Sequence, residues 1–168
     1  MSAHRPFPVL ARVPQRVWAA PCTAVGLCLF APALLLGARA RIVEGCIEIA
    51  LARGDGARGW VRRLPFNAIT FGHVVAGVNA AELDRLRLHE RAHVAQYERW
   101  GLLFLVAYPA ESLWQWMRGR RAYFDNGFEV QARKVAGEDL PEDDLSRERP
   151  VSGWPLFARY PYLRLRHR

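Results

Sequence analysis

The sequence predicts an α+β fold: an N-terminal membrane helix, a small antiparallel sheet, and a helical core after it. Three observations predict it. Residues 17–38 carry no charge, and residues 41–78 alternate apolar and polar positions between turn signals. From residue 79 onward the apolar period lengthens from two to between three and four. Strands first and helices afterwards is the order of an α+β domain.

A chain of 168 residues has room for one domain with appendages. The formal charge of +8 and the pI near 10.2 come almost wholly from arginine, Lys134 being the only lysine. Cys22, Cys28 and Cys46 follow no recognisable spacing, so neither a disulfide framework nor a cysteine zinc site is supported. The expected organisation is a basic segment at 1–16, a transmembrane or signal-anchor helix at 17–38, an α+β domain at 39–137, an acidic linker at 138–149 and a basic aromatic tail at 150–168.

The uncharged stretch lies between Arg16 and Arg39 and is long enough to cross a bilayer at about 1.5 Å per residue. Pro21 and Pro32 are tolerable in such a helix. A membrane helix is the expectation. The other readings are a cleaved signal peptide, with Ala38-Arg39-Ala40 as a poor cleavage site, and a buried core helix. Arg5, Arg12 and Arg16 before the stretch balance Arg39, Arg41 and Arg53 after it, so charge does not set the orientation.

In the sheet region, residues 42–50 read as one strand, with Val43, Gly45, Ile47 and Ile49 on one face and Glu44, Cys46 and Glu48 on the other. Gly54-Asp55-Gly56 signals a turn. Trp60-Val61 and residues 68–78 supply further strands, the last containing His73.

The helix at 79–101 is punctuated at both ends. Asn79 and Glu82 have capping-box spacing, and Gly101 sits where a helix-ending glycine belongs. Leu83, Leu86, His89, Glu90, His93, Tyr97 and Trp100 recur at steps of three and four and share a face. Within it, His89-Glu90-Arg91-Ala92-His93 is an H-E-x-x-H pattern. Histidines at i and i+4 lie one turn apart on one face, so both imidazoles can bind a single Zn²⁺ while Glu90 reaches a metal-bound water. The alternative is two buried histidines satisfied by hydrogen bonds, with Glu90 in a surface pair.

Residues 102–117 are apolar and aromatic, with Pro109 and Glu111 near the middle. They are too few and too polar for a confident span. A helix starting near Pro109 is expected, either packed on the sheet or lying at the membrane surface with its tryptophans in the interface. Arg118, Arg120 and Arg121 end it. Another helix opens after Asn126 and closes at Gly137. A catalytic zinc site keeps three protein ligands, and Glu129 is the natural third, with Asp125 and Glu111 in reserve. Asn126 and Glu129 also have N-cap to N3 spacing, so Glu129 could instead complete a capping box. Residues 138–149 hold six acids and no periodicity. The tail interleaves arginine with Trp154, Phe157, Tyr160 and Tyr162, which suits lipid headgroups or an acidic partner. No nucleic-acid-binding motif accompanies it, and no nucleic-acid partner is expected.

His89-Glu90-x-x-His93, the strand before it and Glu129-x-x-Ala132 after it resemble the zincin metallopeptidases, in particular the gluzincin branch. The resemblance covers about residues 68–136. It implies that His89, His93 and Glu129 hold zinc, that Glu90 is the general base, and that the strand at 68–76 lines the cleft and pairs with an extended substrate. Tyr123, Tyr97, His73 and Arg121 are the candidate oxyanion donors or substrate contacts. The chain also resembles small bacterial membrane-associated proteins, which implies an inner-membrane location; the uncharged stretch would make a single pass, and the apolar residues 102–117 are a candidate second membrane-associated segment. The expected function is that of a membrane-anchored zinc-dependent metallopeptidase or related hydrolase, with membrane lipid and a peptide or protein substrate as partners. Two other classes are a non-catalytic zincin-like binding or assembly module, and a basic surface protein in which the motif is accidental.

Overall fold

The computed structural model describes residues 13–52 and 59–138. The first part of the basic segment, the Gly54-Asp55-Gly56 turn, the acidic stretch beyond Glu138 and the basic aromatic tail lie outside the described residues. In chain order the elements are α1 (Val13–Phe30), α2 (Pro32–Leu35), β1 (Arg39–Val43), β2 (Cys46–Ala50), a 3₁₀ turn (Gly59–Arg63), β3 (Ala68–Phe71), β4 (Val74–Gly77), α3 (Ala80–Trp100), α4 (Leu103–Met117) and α5 (Gly127–Ala136). The expected α+β order holds.

The sheet has the strand order β1-β2-β4-β3 and is mixed, which corrects the expected antiparallel sheet. β1 pairs antiparallel with β2, and β3 with β4, but β2 and β4 run parallel. The long connection over residues 51–67, with its 3₁₀ turn where a strand was expected at Trp60-Val61, carries the chain across so that β4 returns alongside β2. Two turns divide stretches that read as single strands. Glu44 (φ 48°) and Gly45 (φ 81°) are both left-handed, as a type I′ hairpin turn requires. Gly72 (φ 59°) precedes His73 in the turn between β3 and β4, the place of glycine in a type II′ turn.

Apolar side chains cover both faces of the sheet. Ile49 and Val74 pack with Ala33, Leu51 and Val61 on one face. Cys46, Ala50 and Val75 pack with Leu83 and Val94 of α3 on the other. Glu48 lies on the α3 face, buried, where Arg87 Nε reaches it at 3.0 Å and Arg41 Nε at 2.8 Å.

α3 begins and ends as its sequence predicts. Asn79 Oδ1 accepts the Glu82 N–H at 2.8 Å, and the Gly101 N–H returns to the Tyr97 carbonyl at 2.7 Å. α1 lies along α3 and the β3–β4 hairpin, with Ala19 and Cys22 fully buried and a glycine where it crosses the strands. A Cβ placed on Gly26 would stand 2.8 Å from the Val74 Cβ and 2.9 Å from that of Phe71. The stretch Val13–Leu35 is long and apolar enough to cross a membrane, and most of its surface is not covered by protein.

α4 starts well before Pro109, correcting the expected start there. Phe104 and Ala107 pack beneath its first turns with Tyr97 and Phe128, and this packing holds the helix ahead of the proline. Pro109 itself is exposed. Asn126 fixes the start of α5: its Oδ1 accepts the Phe128 N–H at 2.9 Å, while its Nδ2 donates to the Tyr108 carbonyl and to Ser112 Oγ on α4.

Candidate metal centre

The α3 face that carries the H-E-x-x-H residues packs against α5, and there Glu129 meets both histidines. Glu129 is on the first turn of α5, but Asn126 caps Phe128 instead of pairing with it in a box. Its carboxylate turns inward. Oε1 lies 3.2 Å from His93 Nε2, and Oε2 lies 3.3 Å from His89 Nε2. The two Nε2 atoms are 3.1 Å apart. All three residues are buried, and one donor atom from each lies within 4.8 Å of the others. The reserves Glu111 and Asp125 point elsewhere: Glu111 accepts from Gln115 Nε2 at 2.7 Å, and Asp125 caps the Arg121 N–H at 2.8 Å.

The far nitrogen of each imidazole fixes which atom faces the group. Gln96 Nε2 donates to the Phe128 carbonyl and to Gln131 Oε1, which turns its amide oxygen toward His93 Nδ1 at 2.8 Å. An amide oxygen only accepts, so His93 Nδ1 carries a proton. His89 Nδ1 faces the Glu138 carboxylate at 3.3 Å and is held in the same tautomer. Both Nε2 atoms therefore face the Glu129 carboxylate.

Burial and charge oppose each other at Glu129 and at His93. Burial alone would raise the Glu129 pKa, but the adjoining imidazoles of His89 and His93 and the bond from Tyr108 hold it far below the ordinary range. Burial would lower that of His93, and the Glu129 carboxylate outweighs it and raises it. Two imidazole nitrogens and a carboxylate brought together out of water could hold a metal ion between them. A proton on one imidazole serves one contact, whereas a divalent ion can serve all three. Glu129 Oε2 has no hydrogen-bond partner despite its burial; Arg133 Nη1, 3.8 Å away, is too far. Two imidazoles and one carboxylate make a donor set for a divalent metal ion.

Beside the group is a cavity of about 810 Å³, walled by residues 64–71, the α3 residues His89, Glu90, His93 and Tyr97, and Phe104, Leu105, Tyr108 and Pro109 of α4. Glu90 is buried on this wall and accepts the Thr70 hydroxyl on Oε2 at 2.6 Å. β3 is an edge strand of the sheet. Because Phe71 and Val74 flank a two-residue turn, Ala68 and Thr70 direct their N–H and C=O groups away from β4, along the edge that lines the cavity.

Of the four candidate oxyanion or substrate contacts, Tyr97 and Tyr123 line the cavity. His73 and Arg121 do not. His73 sits in the β3–β4 turn, where its N–H donates to Thr23 Oγ1 at 3.0 Å and its Nε2 meets Glu98 at 3.1 Å, tying the hairpin to α1 and α3. Arg121 lies over the Phe124 ring beside Asp125. Burial, and then the Glu129 charge, push the Tyr123 and Tyr108 phenols upward, so both stay protonated.

Thr70, Gln96, Tyr108 and Glu138 were not singled out by the sequence. Gln96 carried a usable signal, being three residues beyond His93 on the same helical face. Tyr108, whose hydroxyl donates to Glu129 Oε1 at 2.7 Å, carried none. No family model matches the chain, and neither a curated protein nor a solved structure matches it.

Proposed function

We propose that the chain is a membrane-anchored, zinc-dependent hydrolase of the metallopeptidase type, with zincin-like chemistry. The observation that carries this reading is the buried convergence of His89, His93 and Glu129, with both imidazoles oriented by partners on their far nitrogens. Zinc held by these residues supplies Lewis acidity, polarising a carbonyl and lowering the pKa of a water toward neutrality.

The remaining roles fall to the chain itself. Glu90 accepts the proton of the attacking water and delivers it to the leaving amine. Thr70 occupies one Glu90 oxygen and leaves the other for that transfer. The outer edge of β3 offers Ala68 and Thr70 backbone groups to an extended peptide. Tyr123, half exposed and kept protonated, is the donor for the oxyanion. The exposed apolar surface of α1 supports membrane anchoring through Val13–Leu35.

One feature favours the second reading, a non-catalytic binding module: the Tyr108 hydroxyl already occupies Glu129 Oε1. A Glu90→Gln variant separates the two. The hydrolase reading expects zinc retained and cleavage of a peptide library lost, because the variant keeps the shape of the side chain but removes the base. Equal cleavage by both proteins contradicts it.

A further inference from the structure

α4 carries its polar side chains Glu111 and Gln115 on the buried side and a run of apolar ones on the outside. Its buried stripe is Phe104, Ala107, Glu111 and Gln115, and Glu111 is 0% exposed. Its outer stripe is Leu103, Val106, Leu113, Trp114, Trp116 and Met117, with Val106 68% exposed. A helix on a water-soluble domain has the reverse polarity. Apolar residues outward and polar ones toward the bundle is the polarity of a helix solvated by lipid.

The inward polar groups are locked to protein. Gln115 bridges Glu111 and Arg120, and Ser112 and the Tyr108 carbonyl hold Asn126. α4 therefore cannot roll to hide its apolar stripe without breaking this network. Its end matches a headgroup layer in both chemistry and charge. Trp114 and Trp116 are followed by Arg118, Arg120 and Arg121, and the Arg118 guanidinium lies over the Trp114 ring at 5.5 Å. Tryptophan and arginine collect where acyl chains give way to anionic headgroups. α1, the other helix with an exposed apolar surface, is close by: Trp18 lies against Gly101, which joins α3 to α4.

We propose that the outer face of α4 is a lipid-contact surface, immersed among the acyl chains of one leaflet with its Trp114–Arg121 end at the headgroups. Fifteen residues span about 22 Å at 1.5 Å per residue, short of the roughly 30 Å hydrocarbon core, so α4 enters a leaflet without crossing. The inner side of the same helix walls the cavity with Phe104, Leu105, Tyr108 and Pro109. Lipid contact on its outer side holds that cavity beside the bilayer.

The test uses the full chain, carrying Cys28→Ser and a single spin-labelled cysteine, in vesicles of equal phosphatidylcholine and phosphatidylglycerol. Val106→Cys and Leu113→Cys report on α4, and Ala81→Cys on the exposed start of α3 gives the water reference. The labels at 106 and 113 should meet dissolved oxygen several-fold more often than a water-soluble nickel chelate, with the reverse at 81. Labels at 106 and 113 that meet the chelate as freely as the one at 81 overturn the proposal. Labels shielded from both reagents overturn it too, and dipolar broadening between chains would then identify a second copy as the occupant. The readout needs no bound metal and no hydrolysis, so it is independent of the hydrolase reading.

Discussion

Gln96 Oε1 lies 2.8 Å from His93 Nδ1, while the Gln96 amide nitrogen donates to the Phe128 carbonyl at 3.0 Å. One side chain on α3 thus orients His93 and joins its helix to the one that carries Glu129. Such partners typically contribute about 10–100-fold in metal affinity. Gln96→Leu should weaken zinc binding by roughly that factor while His93 remains in place. Competition against a chelating dye measures it, and unchanged affinity would remove Gln96 from the account.

Thr70 and Glu90 make a different prediction, because Thr70 touches the base and not the metal group. Thr70→Val keeps the shape and removes the hydroxyl. Zinc content should be unchanged, and peptide cleavage should fall about tenfold, less than the roughly 10²–10⁴ attributable to a full general base. Loss of zinc in this variant would show that Thr70 supports the fold of the site and not its chemistry.

The glycine at the α1 crossing is a packing requirement. Elsewhere in a helix, glycine to alanine gains about 1 kcal/mol. At Gly26 the new methyl would stand 2.8 Å from a strand Cβ, so α1 must shift. Gly26→Ala should destabilise the protein by about 1–3 kcal/mol, read as a lowered midpoint of thermal unfolding in detergent. A raised midpoint would mean that α1 is not packed on Phe71 and Val74.

Glu48 sets an acid limit. Burial would raise its pKa, but hydrogen bonds from Arg87 and Arg41 lower it below the usual carboxylate range. A folded-state pKa below the unfolded one stabilises the fold fully above the unfolded value, and that contribution disappears as pH falls through the folded one. Glu48→Gln should therefore lower stability at neutral pH and flatten its decline below about pH 4.3, the ordinary glutamate value. Parallel stability curves for the two proteins would rule the linkage out.

How much of this was legible in the sequence depended on whether the signal was local. The α3 boundaries rest on Asn79, Glu82 and Gly101, each acting within one turn, and all three were readable. Glu129 could be nominated by its chain position, but that it faces the histidines depends on Asn126 being held by α4. The strand boundaries were obscured because both hairpin turns are only two residues long, and Glu44 falls on the polar side of the alternation a continuous strand would show. The parallel pairing of β2 with β4 joins strands distant in sequence, and no local pattern encodes it. Pro109 misled because packing of Phe104 and Ala107 outweighs the cost of a proline inside the helix.

The central claim is that His89, His93 and Glu129 hold one metal ion. It is tested most directly by the zinc content of the full chain purified under metal-replete conditions, beside His93→Ala and Glu129→Ala. Close to one zinc per chain is expected, lost in both variants, because each removes one of three converging donors. Zinc retained in Glu129→Ala, or absent from the unmodified chain, would contradict it.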